Sequence, residues 1–221
     1  MIFCREYDTI FATKENIEMT LYIDKIEERI NNTYSNQVFS ANDFLDIASN
    51  VTVRGTLNRL ANENKIKRMI NGFYYKANYN ELLDDYEAVS IHELALAIAR
   101  KYNWNIAPYN STALNLLGLS TQVPSHYKYI SSGRYKEYNI GDTILEFKKV
   151  SPGEIANMSI KTATVIQAIK SLGKDNITDD VRLKIRKNLS LKEKEDLLRD
   201  AKSTSSWIYE VIRKICVDKN E

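Results

Sequence analysis

The sequence predicts an α+β fold, mainly helical, in two domains. Three observations carry this. Glycine and proline are scarce, at 7 and 3 of 221 residues, so helices run uninterrupted. Apolar residues recur at helical spacing over much of the chain. Strand-like patterns with turn signals are confined to two short regions, one around Asn71-Gly72 and one over residues 127–150.

Met19 to Ile30 sets Tyr22, Ile23, Ile26 and Ile30 on one helical stripe, with Asp24, Lys25, Glu27, Glu28 and Arg29 opposite. NNTYSN breaks this helix, and Val38-Phe39 reads as a short strand. Ser40 caps a second, short helix, with Asp43 at the third position of a capping box. Phe44, Leu45, Ile47 and Ala48 are its expected buried side. Ser49 or Asn50 caps a third helix, in which Val53, Leu57, Leu60 and Ala61 share a face, and ANENK ends it. Ile66 to Ile70 reads as a strand and Phe73 to Tyr75 as its return. Between them, Asn71-Gly72 reads as a type I′ turn with positive φ at both residues. Helix, short helix, helix and hairpin make the order of a winged helix-turn-helix, assigned to residues 1–80.

Residues 76–90 are polar and acidic, and read as a linker. The second domain, residues 81–221, is expected to be α/β, with a small antiparallel sheet and several helices. An amphipathic helix starts near Ala88 and a short one spans Ala113 to Leu117. Tyr127, Tyr129, Tyr135, Tyr138, Ile140, Ile144, Leu145, Phe147 and Val150 fall in three short strands, ended by Ser151-Pro152-Gly153. Helices follow over Ile160–Leu172, Asp179–Leu189, Ser190–Ala201 and Ser206–Cys216.

Composition narrows the function classes. Hydrophobic residues are 43% and charged residues 27% of the chain, as in a soluble protein with a real core. No apolar run approaches a membrane span, and the first residues lack the h-region of a signal peptide. Cys4 and Cys216 are isolated, which fits neither a disulfide framework nor a zinc site. A cytoplasmic protein is expected.

The net charge is only +2, so bulk charge does not point to nucleic acid. Its distribution does. The stretch NVTVRGTLNRLANENKIKRMINGFYYK holds Arg54, Arg59, Lys65, Lys67, Arg68 and Lys76 against one acid, Glu63. With Val53, Leu57 and Leu60 facing a core, the third helix turns Thr52, Arg54, Gly55, Asn58, Arg59 and Asn62 outward. Arg bonds guanine bidentately and Asn does the same with adenine. Asn50, Thr52, Arg54, Asn58 and Arg59 are therefore the candidate base-reading residues. Lys65, Lys67, Arg68 and Asn71 are the candidate backbone contacts. The expected partner is double-stranded DNA.

FSANDFLDIASNVTVRGTLNRLANENKIKRMINGFYYK resembles the N-terminal winged helix of AbiEi-like antitoxins from type IV toxin–antitoxin (abortive infection) systems. The shared pattern is an aromatic before a short helix, then TVRGTLNRL, a basic strand and an RGxYY-like turn. PYNSTALNLLGLSTQVP followed by Tyr-rich strands resembles the start of the family's C-terminal antitoxin domain. The resemblance spans most of the chain from about residue 20. Asn71 departs from it, standing where a basic residue often precedes the turn glycine. The resemblance implies a repressor of its own operon that binds inverted repeats, a palindrome usually read by two copies. It also implies neutralisation of a nucleotidyltransferase-like toxin, in systems where the two proteins often form no stable complex.

Catalytic signals are weak by comparison. His92 and His126 stand without an HExxH or Cys/His spacing, and no glycine-rich phosphate loop exists. Asp142, Glu146 and Lys148 in GDTILEFKK are similar to the acid…ExK pattern of metal-dependent nucleases, but Asp142 lies only four residues upstream of Glu146, closer than such sites usually allow. The tyrosines of residues 127–138 could stack bases or cover a core. The leading expectation is a non-enzymatic DNA-binding antitoxin without cofactor or metal. The alternatives are a winged-helix regulator with a ligand-sensing or oligomerisation domain, and a nuclease.

Overall fold

The computed structural model describes residues 20–32, 37–82, 84–87, 89–151, 155 and 158–217. The expected NNTYSN break falls largely outside the described residues, as do Cys4 and Pro152-Gly153. The fold is α+β, and the chain divides into two compact units between Lys101 and Tyr102.

The first unit opens with helix α1 (20–32), which buries Ile26 and Ile30. Strand β1 (Val38–Ser40) follows, then a 3-10 turn (Ala41–Phe44) and helix α2 (Asn50–Asn62). Strands β2 (Lys67–Ile70) and β3 (Phe73–Tyr75) complete an antiparallel sheet in the order β1-β3-β2. The hydrophobic core is the one read from the helical spacing. Val53, Leu57 and Leu60 of α2 meet Ile26 and Ile30 of α1, with Phe39 and Phe44 packed edge to face at 5.6 Å.

Local chemistry fixes the ends. Ser49 Oγ accepts from Thr52 N–H and starts α2. Asn64 stops it in the left-handed region (φ 58°), where asparagine is tolerated, and Lys65 N–H returns to Leu60 O. The Ser40 capping box is present, with the Ser40 N–H donating to Asp43 Oδ2 at 2.7 Å.

Two expectations need correction here. The second helix is only a 3-10 turn, because few residues lie between β1 and the Ser49 cap, and Leu45 is 46% exposed rather than buried. The Asn71-Gly72 turn is not type I′. Only Gly72 has positive φ (77°). An extra residue on β2, Met69, interrupts the register between Arg68 and Ile70. Such a bulge supplies strand twist, so a single left-handed residue suffices.

The expected linker contains a small hairpin, β4 (Tyr79–Asn80) with β5 (Asp85–Tyr86), closed by a Tyr79–Tyr86 ring contact at 5.3 Å. Helix α3 (Ile91–Tyr102) follows. Its Arg100 donates from Nη2 to Val38 O at 2.7 Å and pairs with Asp43 at 3.3 Å. β1 is an edge strand, so Arg100 caps a carbonyl that no neighbouring strand reaches. This tie holds α3 to the sheet of the first unit.

The second unit contains strand β6 (Ile106–Pro108), helix α4 (Ser111–Leu116) and strands β7 (His126–Ser131), β8 (Lys136–Ile140) and β9 (Thr143–Lys149). The sheet order is β6-β7-β9-β8. It has four strands, not three, and is mixed, not antiparallel. β8 and β9 form a hairpin with β8 on the edge, which sets β9 parallel to β7. β6 escaped notice because three buried residues give no alternation.

Helices α5 (Ile160–Leu172), α6 (Asp179–Lys187), α7 (Leu191–Asp200) and α8 (Ser206–Val217) make the rest. Ser159, Thr178 and Ser190 cap the first three. Ile169, Ile185, Leu197 and Ile212 meet in one core. On one sheet face, Tyr129, Tyr138 and Trp104 surround Phe147 with ring separations of 5.8 to 6.3 Å. Tyr135 lies apart, 58% exposed. Cys216 is half-buried, and burial pushes its thiol pKa up, away from the reactive thiolate. Among the described residues, no helix is long and apolar enough to cross a membrane.

Two substitutions test these ties. Arg100→Ala leaves the part-buried Val38 carbonyl without its cation, and urea unfolding should show a loss of about 1–3 kcal/mol. A Cβ on Gly133 would lie 2.1 Å from the Trp104 ring. Gly133→Ala should therefore cost about 1–3 kcal/mol, visible as a lower Tm, whereas Gly55→Ala meets nothing within 4 Å and should not lower it.

Candidate nucleic-acid interface

α2 and the β2–β3 hairpin enclose a cleft of about 460 Å³. Arg54, Asn50 and Asn58 come from α2, Arg68 from β2, and Asn71 and Gly72 from the turn. Asn42 and Lys101 complete the rim. Among the described residues, three cations and four asparagines line it, with no carboxylate.

Helical periodicity puts Arg54 and Asn58 on one side of α2, one turn apart. Arg68 and Tyr74 are directly opposite each other on β2 and β3, so both project toward the same face. They converge on one atom: Asn58 Oδ1 accepts from Arg68 Nη2 at 2.7 Å and from Tyr74 O–H at 2.8 Å. The Arg68 guanidinium also lies 5.4 Å from the Tyr74 ring centroid, within cation–π range. Arg68 is thereby held on the cleft wall rather than swinging in solvent.

The expected base-reading residues separate into two groups. Asn50 and Arg54 are exposed on the cleft side of α2, and no described residue forms an ion pair with Arg54. Thr52 is partly occupied by the helix start, its hydroxyl 2.9 Å from Ser49 Oγ. Asn58 has both hydrogen bonds on its carbonyl oxygen, so bidentate reading of adenine would require it to release Arg68 and Tyr74. Arg59 faces Glu63 at 3.3 Å, one turn on, and does not line the cleft.

The expected backbone set divides as well. Arg68 and Asn71 are in the cleft. Lys67 projects from the other face of β2, with its ammonium 4.2 Å from the Tyr86 ring centroid. Lys65 pairs with Glu27 at 3.0 Å and Glu63 at 3.3 Å, and Glu27 first, then Glu63, raise its pKa above the usual lysine value. These exposed pairs are individually weak.

Lys101 was not legible as part of this surface. Asn42 Nδ2 donates to Lys101 O at 3.3 Å, which anchors the end of α3 beside the 3-10 turn. The Lys101 ammonium sits 4.6 Å from the Phe73 ring centroid and would be 3.4 Å from a Cβ on Gly72. Its only sequence signal is the basic last turn of α3, shared by many helices.

The acid…ExK residues lie in the second unit. Asp142 is in the β8–β9 turn and Lys148 is exposed near the end of β9. Glu146 faces the parallel strand β7, with His126 Nε2 2.7 Å and Lys128 Nζ 3.8 Å from its Oε2. The Lys128 ammonium of β7 thus lies against its charge. His92 is half-buried in α3, and burial lowers its imidazole pKa.

No curated protein matches the chain. A family model, described as a family of unknown function (DUF6088), matches residues 25–197. The match starts within α1 and ends within α7, so it takes in the cleft and the mixed sheet alike. The chain belongs to the DUF6088 family.

Proposed function

We propose that the first unit is a winged helix-turn-helix that docks on duplex DNA, with α2 in the major groove and the β2–β3 hairpin along the backbone. We further propose that the chain is an AbiEi-like antitoxin and autorepressor, acting in the cytoplasm by binding rather than catalysis. Two copies would read inverted repeats in its own promoter, and its functional partner would be a nucleotidyltransferase-like toxin. The observation that carries the DNA reading is the cleft lined by Arg54, Arg68 and Lys101 with four asparagines and, among the described residues, no acid. Asparagine and arginine are the side chains that pair bidentately with base edges, and the cations suit phosphates. The antitoxin part rests on the sequence resemblance. A plain winged-helix regulator with a ligand-sensing second domain is the other reading, favoured by a lysine-lined cleft beside α5. A nucleotidyltransferase-like gene next to this one supports the antitoxin; its absence supports the regulator.

Fluorescence anisotropy on promoter DNA tests the interface. Arg54→Ala and Arg68→Ala should each cost ~1–3 kcal/mol, and Lys101→Ala should lower the salt slope by about one unit. Arg59→Ala and Lys65→Ala, which remove already paired charges, should change affinity less. Wild-type binding by both Arg54→Ala and Arg68→Ala would remove the cleft from the interface.

The two activities should also separate. The chain with Arg54→Ala and Arg68→Ala together should fail to repress a promoter reporter. It should still protect cells when the toxin comes from an independent promoter. Loss of protection by this folded double variant would show that neutralisation needs DNA binding.

A further inference from the structure

The second unit holds a cleft that plays no part in the DNA reading. Its volume is about 690 Å³, and its walls are the open part of the sheet and helix α5. Lys148 and Lys149 enter from the end of β9 and Lys170 from α5, with Tyr109 and Gln167 nearby. Among the described residues, no acidic side chain lines it and none forms an ion pair with any of the three lysines.

Gln167 is the informative residue. It is 5% exposed, yet no described residue donates to or accepts from its carboxamide. The side chain borders the cleft one helical turn before Lys170. A carboxamide there offers a ligand one acceptor and two donors. The floor beside it is apolar: Ile130 on β7 belongs to the small core formed with Ala107 and Ala163.

From this we infer that the cleft between α5 and the end of β9 binds a nucleotide. Lys148, Lys149 and Lys170 hold its phosphates as compact positive charges, and Gln167 bonds the edge of its base or sugar. The volume lies in the range of small-molecule sites. A continuous duplex would need an extended positive track rather than a recess with an amide beside an apolar floor. The inference is independent of DNA binding by the first unit.

Calorimetric titration of the full chain with ATP, inorganic pyrophosphate and adenosine tests it. ATP and pyrophosphate should bind, ATP more tightly, and adenosine should not bind measurably. Lys148→Ala and Lys170→Ala, both at exposed positions, should each weaken ATP by about tenfold or more. Gln167→Leu should abolish the preference for ATP over pyrophosphate while leaving pyrophosphate bound. Circular dichroism establishes that each variant is folded. The inference is overturned if neither phosphate compound binds, or if folded Lys148→Ala and Lys170→Ala bind ATP like the wild type. It is equally overturned if these two variants lose duplex DNA affinity but not ATP affinity, since the cleft would then be a rail for a nucleic-acid backbone.

Discussion

The arrangement of the first unit turns on one acceptor. The Asn58 carbonyl oxygen takes a hydrogen bond from Arg68 and another from Tyr74, so helix α2, strand β2 and strand β3 meet at a single atom. Apolar packing of Leu57 and Leu60 brings the helix against the sheet, but packing is non-directional. The two hydrogen bonds add direction: they set the distance between helix and hairpin on the solvent side and keep a guanidinium on the cleft wall. The Arg68–Asn58 bond is charge-assisted and therefore among the stronger of its kind.

Charge in this unit is sorted by that geometry. Residues of similar appearance in the sequence end with different surroundings. Arg59 and Lys65 turn toward Glu63 and Glu27, whereas Arg54 and Arg68 turn into a cleft that Lys101 completes and no described acid lines. Neighbouring strand residues Lys67 and Arg68 point to opposite faces because of the pleat. A stretch that reads as evenly basic is thus, in three dimensions, a focused patch beside a set of local ion pairs.

The second unit depends on a different constraint, the placement of β9 between β7 and β8. It brings Phe147 under Tyr129, Tyr138 and Trp104 on one face, and Glu146 beside His126 and Lys128 on the other. It also carries Lys148 and Lys149 out to the mouth of the α5 cleft. The aromatic residues that could have served as stacking platforms are, for Tyr129, fully buried in this group.

The sequence by itself determined what depends on neighbours along the chain. The capping residues Ser40 and Ser49, the apolar stripes of α1 and α2, the helical span of α5 and the strand–turn–strand around Gly72 follow from local backbone needs and helical periodicity. Only the tertiary structure decided the rest. The bulge at Met69 changed the turn type because strand twist is set by pairing. Three apolar residues became β6 because β7 offered an edge. Arg100 ties α3 to β1 because its guanidinium reaches a β1 carbonyl some sixty residues away in sequence. Asn58, outward-facing in the sequence as a reader of bases, is a hydrogen-bond hub, and Lys101 is a cleft residue. In each case the deciding partner lies far along the chain, and spacing within one segment carries no information about which distant group will fold against it.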